Sequence, residues 1–346
     1  MPRTISVLVP AYNASATIES TISSALAQSH RDLDVIVVDD GSTDATAEIV
    51  GGIAAREGRV RLIRQANGGV ARARNTALAA AQGDWIAPLD ADDLWHPEKL
   101  ALQLAALQSA PDGTALCYNW FRRIDGGNRV FPGAPSPVVE GHVFHRHLDW
   151  NFISNGSTPL VRADVAREIG YEPALGDSGN PGVEDYLFQL RIARGHGFVC
   201  VPAYLTGYRR AGGGMSNQVA TMIRSHLQMY AMLAPIAGDD AQPIIRRQMA
   251  RLHVEHARNR FRRSLWKDGM TALAKGFRAD PAMAVQTLGN EGLAMLARAG
   301  GGDAAAATRL FENYAADEPD GPWDSKRSPD RLRWLESLDR KWALSA

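Results

Sequence analysis

Apolar and polar positions follow two different rhythms along this chain. In the first third, short β-branched runs alternate with helical patterns. "ISVLV" (5–9), "LDVIVV" (33–38), "VRLI" (60–63), "DWIAPL" (84–89) and "ALCY" (115–118) read as strands, each ending in turn or polar residues. Between the first two, "SATIESTISSALAQS" repeats Ile18, Ile22 and Leu26 every four residues, which is one face of a helix. "VARARNTALAAAQG" and "PEKLALQLAALQ" repeat that pattern, the second with Pro97 at a first-turn position. Strand and helix in alternation predict an α/β fold, a Rossmann-like and mainly parallel sheet flanked by helices.

From 122 to 157 the periodicity weakens into Gly-, Pro- and His-containing sequence, which predicts an excursion over the surface. Regular patterning returns in "GSTPLVRADVAREIG". "GVEDYLFQLRIARGHGFVCVPAYLTGYRR" follows as a helix stripe of Val183, Leu187, Leu190 and Ala193 and then a strand. Beyond residue 217 the β-branched runs cease, and segments such as "VATMIRSHLQMYAML" and "PIIRRQMARLHVEHARNRFRRSLW" have helical spacing. This shift predicts a boundary near residue 216, with a first domain over 1–216 and a C-terminal helical unit over 217–346. A loose, charged "DEPDGPWDSKRSPD" linker precedes the last helix.

Composition narrows the function classes. The 346 residues are 45% apolar and 22% charged, as in a soluble globular protein. Lys plus Arg equals Asp plus Glu at 38 each, so overall charge does not point to nucleic acid as partner. The two cysteines, Cys117 and Cys200, sit in apolar segments without metal-ligand spacing and read as reduced core residues. No run has the length of a signal peptide or membrane span, so the expected compartment is the cytoplasm.

Parallel strands direct their carboxyl ends at one crevice, and four polar groups fall there: "PAYN" (10–13), "DDGSTD" (39–44), "NGGVARARN" (67–75) and "DADD" (90–93). Tyr12 offers a flat face to a base, and Asp39 or Asp40 can accept hydrogen bonds from a base edge or ribose. Gly68 and Gly69 let backbone approach a ligand, and Arg72 or Arg74 can reach a phosphate. Neither GxGxxG nor GxxxxGK[ST] occurs, which disfavours classical NAD and P-loop sites. Asp90, Asp92 and Asp93 crowd negative charge at one strand end. A hard cation shared with a diphosphate would resolve their repulsion, and oxygen-only ligands suit Mg²⁺ or Mn²⁺.

In order and spacing, "VPAYNA", "VVDDGSTD", "NGGVARARN", "LDADD", "VEDYLF" and "YRR…MS" resemble the family 2 glycosyltransferases of GT-A fold, over residues 4 to 216. The resemblance implies a metal-dependent, inverting transfer of sugar from a nucleotide-sugar, with a UDP-sugar favoured, to a saccharide or lipid-linked acceptor, in polysaccharide or glycoconjugate assembly. It implies nucleotide-sugar contacts from Pro10, Tyr12, Asp40, Asn67, Arg74, Asp90 and Asp92. Asp92 meets the Mn²⁺ or Mg²⁺, and Asp185 is the general base, with Glu184, Tyr208 and Arg209 toward the acceptor. Independently of the family, Glu184 and Asp185 open a helix whose N-terminal dipole favours an ionised carboxylate ready to take a proton. Ala211 stands where the commoner family form has His, so no imidazole is available there.

Other readings were weighed on the same residues. A nucleotidyltransferase forming sugar nucleotides would carry a basic, Gly-rich loop after the first strand, where this chain has "PAYNAS". A non-catalytic nucleotide-sugar-binding subunit would not need both Asp92 and Asp185. His142, His145 and His147 lack a second ligand cluster, so "GHVFHRHLDW" reads as a loop near the acceptor rather than a zinc site. Arg247, Arg251, Arg258 and Arg262 share one helical face, which suits a solvated bundle surface, a homo-oligomer contact or peripheral attachment to the inner face of an anionic membrane.

Overall fold

The computed structural model describes residues 4–177, 179, 182–210, 219–298, 309–318, 325 and 327–345. The boundary expected near residue 216, and Ala211, lie outside the described residues. The chain begins with β1 (Ile5–Ala11), α1 (Ile18–Leu26), β2 (Leu33–Asp39), α2 (Thr46–Ala54), β3 (Val60–Arg64), α3 (Val70–Ala80) and β4 (Trp85–Pro88). It continues through β5 (Leu94–Trp95), α4 (Lys99–Ser109), β6 (Thr114–Ile124), β7 (Val130–Phe131), α5 (Phe144–Asp149), β8 (Leu160–Arg162) and α6 (Ala163–Ile169). Then come α7 (Ala174–Asp177), α8 (Glu184–Ala193) and β9 (Gly197–Arg209), followed by α9 (Val219–Leu233), α10 (Gln242–Arg262), α11 (Trp266–Ala279), α12 (Pro281–Arg298) and α13 (Pro329–Ser345). All five expected strands are present. Pro97 stands ahead of α4 rather than in its first turn.

One sheet runs β3-β2-β1-β4-β8-β6-β9-β5, with β7 beside β6. The pairs β3/β2, β2/β1, β1/β4 and β6/β9 are parallel, while β8 runs against both β4 and β6, and β5 runs against β9. This is the mixed α/β, mainly parallel sheet expected. Its register also levels the functional edge. Ala11 pairs with Asp39 and Asp39 with Arg64, so the chain leaves β1, β2 and β3 side by side, while β4 ends at Pro88 opposite Leu8.

The segment 122–157 is a surface excursion only in part: 132–140 is irregular and several of its residues are exposed, but the chain then turns inward. It supplies α5, whose Phe144, His145, His147 and Leu148 are fully buried between the sheet and the C-terminal helices. Each buried imidazole of α5 has its own polar partner. His147 Nε2 meets Gln189 Oε1 at 3.1 Å, and His145 Nδ1 meets Asp339 Oδ1 at 3.1 Å. Burial pushes His147 down to about 3, which keeps it neutral. The sequence hid this helix because His145 and His147, polar by residue type, stand among its buried positions beside Phe144 and Leu148.

The late helices share one core with the sheet: Leu8, Ile36 and Ile86 join Leu148, Tyr230, Ile244 and Leu335 in a single apolar cluster. Residues 309–318 run along β6 and β9, where Tyr204 N donates to Ala316 O at 2.7 Å. The buried Arg122 guanidinium lies 4.2 Å from the Tyr204 ring centre and 4.4 Å from that of Tyr314. The expected loose linker is anchored at Arg327, and the contact is reciprocal between α5 and the C-terminus. Asp149 accepts from Arg327 Nε (3.0 Å) and Arg331 Nη2 (2.6 Å), while Asp339 accepts from the His145 amide (2.7 Å) and Arg146 Nε (2.7 Å). No helix among the described residues is long and apolar enough to cross a membrane.

Burial raises the Asp149 carboxyl, but the bonds and charges of Arg331 and Arg327 outweigh it and hold the group below its ordinary value. Such a group adds stability above its unfolded pKa, and that contribution is lost as pH falls through the depressed folded value. Asp149→Ala leaves two guanidiniums facing a space without a carboxylate. It should lower unfolding stability by about 2–4 kcal/mol, toward the range for breaking a buried pair. Urea unfolding of the two proteins at neutral pH measures this, and an unchanged midpoint would mean that α13 is not held by these pairs.

Candidate active site

At the level edge of the sheet the first two loops are stitched together. Asn13, in a left-handed conformation (φ 49°), accepts from the Thr43 amide at 2.8 Å, and its own amide donates to Ser42 Oγ at 2.9 Å. Pro10 is buried in β1, and Tyr12 just beyond it is 53% exposed, its ring free to stack on a planar ligand. Asp40 behaves differently from the expectation that it contacts a nucleoside. Its Oδ1 accepts from Gln65 Nε2 (2.7 Å) and the Gly68 amide (2.9 Å), and its Oδ2 accepts from the Gly69 amide (2.8 Å). Both oxygens are therefore used to fold the 65–69 loop. A Cβ at Gly41 (φ +75°) would meet the Asn67 backbone nitrogen at 2.8 Å, so only glycine admits this loop, and Asn67 stays exposed on it.

Its neighbour Asp39 has the unused valence. Oδ1 accepts from the Ser42 amide at 3.2 Å, whereas the buried Oδ2 has no hydrogen-bond donor and only Arg64 Nε at 3.5 Å. Buried carboxylate oxygens are nearly always bonded, so this atom is the one with acceptor capacity left for a ligand. The pair "DD" carries no sequence signal that separates the two roles.

The acidic cluster after β4 is divided among separate partners. Asp90 pairs with Arg74 Nη2 at 2.6 Å, and that guanidinium lies buried over the Tyr171 ring. Asp93 is a buried hub: its Oδ2 accepts from Asn155 Nδ2 (2.9 Å) and Ser157 Oγ (2.7 Å), and its Oδ1 from the Arg209 amide (2.9 Å). Arg209, expected on the acceptor side, lies buried beneath this turn. It donates to the Asp92 carbonyl (2.7 Å) and the Asp125 carbonyl (2.8 Å). Tyr208 beside it is half-buried, edge-on to Phe121. Only Asp92 has neither an ion pair nor a side-chain donor among the described residues. Burial, and then the charge of Asp90, push its carboxyl up to about 6. A carboxylate so placed could hold a hard cation. Among the described residues no three Asp, Glu, His or Cys side chains converge on one metal, so a cation at Asp92 would need other oxygens from a bound diphosphate or water.

Asp185 approaches the same spot from the opposite side. It stands in the first turn of α8, and its Oδ1 accepts from the Tyr186 amide at 2.8 Å. Glu184 is buried, with Oε2 accepting from the Gly182 amide at 2.8 Å, so it faces inward rather than into the crevice. The convergence shows at Gly156. A Cβ built there would lie 3.2 Å from Arg74 Nη2, 3.2 Å from Asp90 Oδ2 and 3.3 Å from Asp185 Oδ2. The ionising effect expected of the helix N-terminus is outweighed at Asp185. Burial pushes the carboxyl up to about 6, with the charges of Asp90 and Glu184 adding to it and Arg74 opposing. Arg72, the other guanidinium of the loop, is taken by Asp177 on α7 (2.5 and 2.8 Å).

Sequence reasoning thus missed Asn155, Gly156 and Ser157, which stand where the expected surface excursion gives way to regular patterning and belong to no motif. At 39–40 it favoured Asp40 for the nucleoside, whereas the carboxylate oxygen without a hydrogen-bond donor is Asp39 Oδ2.

Residues 6–163 match the family model described as glycosyl transferase family 2. Among curated relatives, chondroitin synthase of Pasteurella multocida is 38% identical over 113 residues, which are 33% of this chain and 12% of that protein. Matches to such relatives take in between 11% and 40% of their lengths. Among solved structures, TarS 1–349 of S. aureus in complex with UDP-GlcNAc superposes with a TM-score of 0.60 at 18% identity, covering 82% of this chain and 83% of that one. The mannosyltransferase PcManGT from Pyrobaculum calidifontis, in complex with GDP-Man and Mn²⁺, gives 0.56 at 22% identity, covering 85% and 81%. Over residues 6–163 the chain is thus similar to glycosyl transferase family 2, and its fold is similar to that of the GT-A structures of TarS and PcManGT.

Proposed function

We propose that the protein is an inverting glycosyltransferase that moves a sugar from a nucleotide-sugar, with a UDP-sugar favoured, to an acceptor hydroxyl in polysaccharide or glycoconjugate assembly. The carrying observation is the meeting of Asp90, Arg74 and Asp185 around the bare Cα of Gly156. A carboxylate on one side can take a proton from an attacking hydroxyl while the charged turn on the other side holds a diphosphate. The nucleoside rests on Tyr12 and bonds to Asp39 Oδ2, while Asp40 and Asn67 shape the loop beside it. The donor class draws support from the UDP-GlcNAc complex of TarS, and the divalent ion from the Mn²⁺ complex of PcManGT.

The remaining chemistry follows from the partners already assigned. Arg74 is engaged by Asp90, and Asn155, Ser157 and Arg209 hold Asp93, so Asp92 is the carboxylate left to hold Mn²⁺ or Mg²⁺. Such an ion, when bound, supplies charge stabilisation to the departing diphosphate. Asp185, at about 6, is ionised at neutral pH yet basic enough to share a proton in the transition state. We keep the division near residue 216 as a functional one, with donor handling before it and acceptor or surface contacts after it.

Replacing Asp185 by Asn retains shape and deletes the base. Transfer should fall by at least ~10²-fold while donor affinity stays near wild type. In the wild-type protein kcat/KM should be level above pH 6 and fall about tenfold per unit below it, because the free base is progressively protonated. Steady-state rates across pH and a donor titration test both statements. Wild-type turnover by the Asn variant would remove Asp185 from the role.

Asp92→Asn should abolish the gain in nucleoside diphosphate affinity that Mn²⁺ or Mg²⁺ gives, since it removes the charge facing the ion. Calorimetric titration with and without chelator reads the difference. An unchanged metal effect would reassign the ligand.

A further inference from the structure

The helix α11 is built the wrong way round for a helix that faces only water. Its inward face, pressed on α10, is Gly269, Ala272 and Gly276. Gly269 makes room for the Phe261 ring, and a Cβ at Gly276 would meet the Ala250 carbonyl at 3.2 Å. The bulky apolar residues point outward. Trp266 is 66% exposed, Met270 58% and Phe277 37%, and with exposed Ala274 they recur at helical spacing as one stripe. Leu265 extends the stripe into the α10–α11 turn, where Ser264 (φ 59°) reverses the chain and the Leu265 amide closes on the Arg260 carbonyl at 3.0 Å. The Trp266 ring leans on Phe261, centres 5.4 Å apart, so its outward direction is fixed.

Charge borders the stripe on one side. Lys267, Lys275 and Arg278 lie next around the helix, all exposed, and Arg262 and Arg263 are exposed at the turn. Asp268 is the one acid on α11. An apolar stripe with Trp at its end and a basic flank is the pattern of a helix lying in a bilayer interface, rings in the acyl boundary and cations among head groups. The same charges disfavour a second copy as the occupant, because face-to-face pairing would bring two basic flanks together.

The longer basic face of α10 does not serve as well. Arg247 donates to Gln286 of α12 at 3.0 Å, and Arg251 pairs with Glu255 at 3.3 Å. Of the four arginines read from the sequence, Arg262 is the exposed one and lies beside the stripe.

We infer that the outer face of α11, with the turn before it, docks the protein on the surface of an anionic lipid bilayer. The inference is independent of the transferase reading, since none of these residues belongs to the crevice at the sheet edge. Co-sedimentation of the full chain with phosphatidylcholine vesicles, with and without phosphatidylglycerol, tests it.

The protein should bind the anionic vesicles and not the neutral ones, and binding should weaken several-fold as salt rises from about 0.05 to about 0.5 M. A Trp266→Ser, Met270→Ser, Phe277→Ser variant should lose about tenfold in vesicle affinity. An Arg262→Gln, Arg263→Gln, Lys267→Gln variant should lose its preference for the anionic lipid. All six positions are exposed, and circular dichroism with thermal unfolding verifies that both variants fold. Three results would overturn the inference: equal binding to both vesicle types, variants that bind as wild type does, or a wild-type dimer in solution that the serine variant abolishes.

Discussion

The turn after β4 has to place three carboxylates within four residues at the end of a buried strand, and much of the surrounding structure is the solution to their repulsion. Each acid has a different compensation. Asp90 has the buried Arg74, Asp93 has Asn155, Ser157 and the Arg209 amide, and Asp92 is left facing the crevice. These partners come from α3, the 153–158 loop and β9, so the turn joins elements distant in sequence. Burial first, and then the neighbouring carboxylates, raise the Asp92 and Asp93 groups above their ordinary values.

The same constraint extends to Asp185. Asp185 belongs to α8, which packs on α5 and through it on the C-terminal helices. The position of its carboxylate beside Asp90 thus depends on a core shared by both halves of the chain. Asp149 and Asp339 close that support by tying α5 to α13. Gly156 keeps the spacing close, because a Cβ there would press on Arg74 Nη2, Asp90 Oδ2 and Asp185 Oδ2 at 3.2–3.3 Å. Rigidity at the sheet edge and burial around α8 together hold two acids at close range without letting them pair.

Sequence alone disclosed the parts governed by local pattern. β1 to β4 and β6 were legible because period and β-branching agree there, and the four polar loops were legible because parallel strands must end together. What remained hidden depends on contacts across the chain. Strands β5, β7 and β8 are two or three residues long and exist only through their partners. The His-rich α5 looks polar until Gln189 and Asp339 satisfy it. Asp39 and Asp40 are adjacent and chemically identical, and only the closure of the 65–69 loop on Asp40 distinguishes them. The basic face of α10 followed from correct helical spacing, but α12 and Glu255 occupy part of it, whereas the stripe of α11 went unnoticed because Gly and Ala at its inner positions look unlike a packing face.

The account rests on one displacement in which Asp185 deprotonates an acceptor on the side opposite the diphosphate held at Asp90 and Asp92. Its most direct measurement is the anomeric configuration of the first product formed from a donor of known configuration, read from the anomeric proton coupling by nuclear magnetic resonance. The account predicts inversion. A product that retains the donor's configuration would require a second displacement or a face-retaining route, and would contradict the assignment of Asp185 as the base of a single-step transfer.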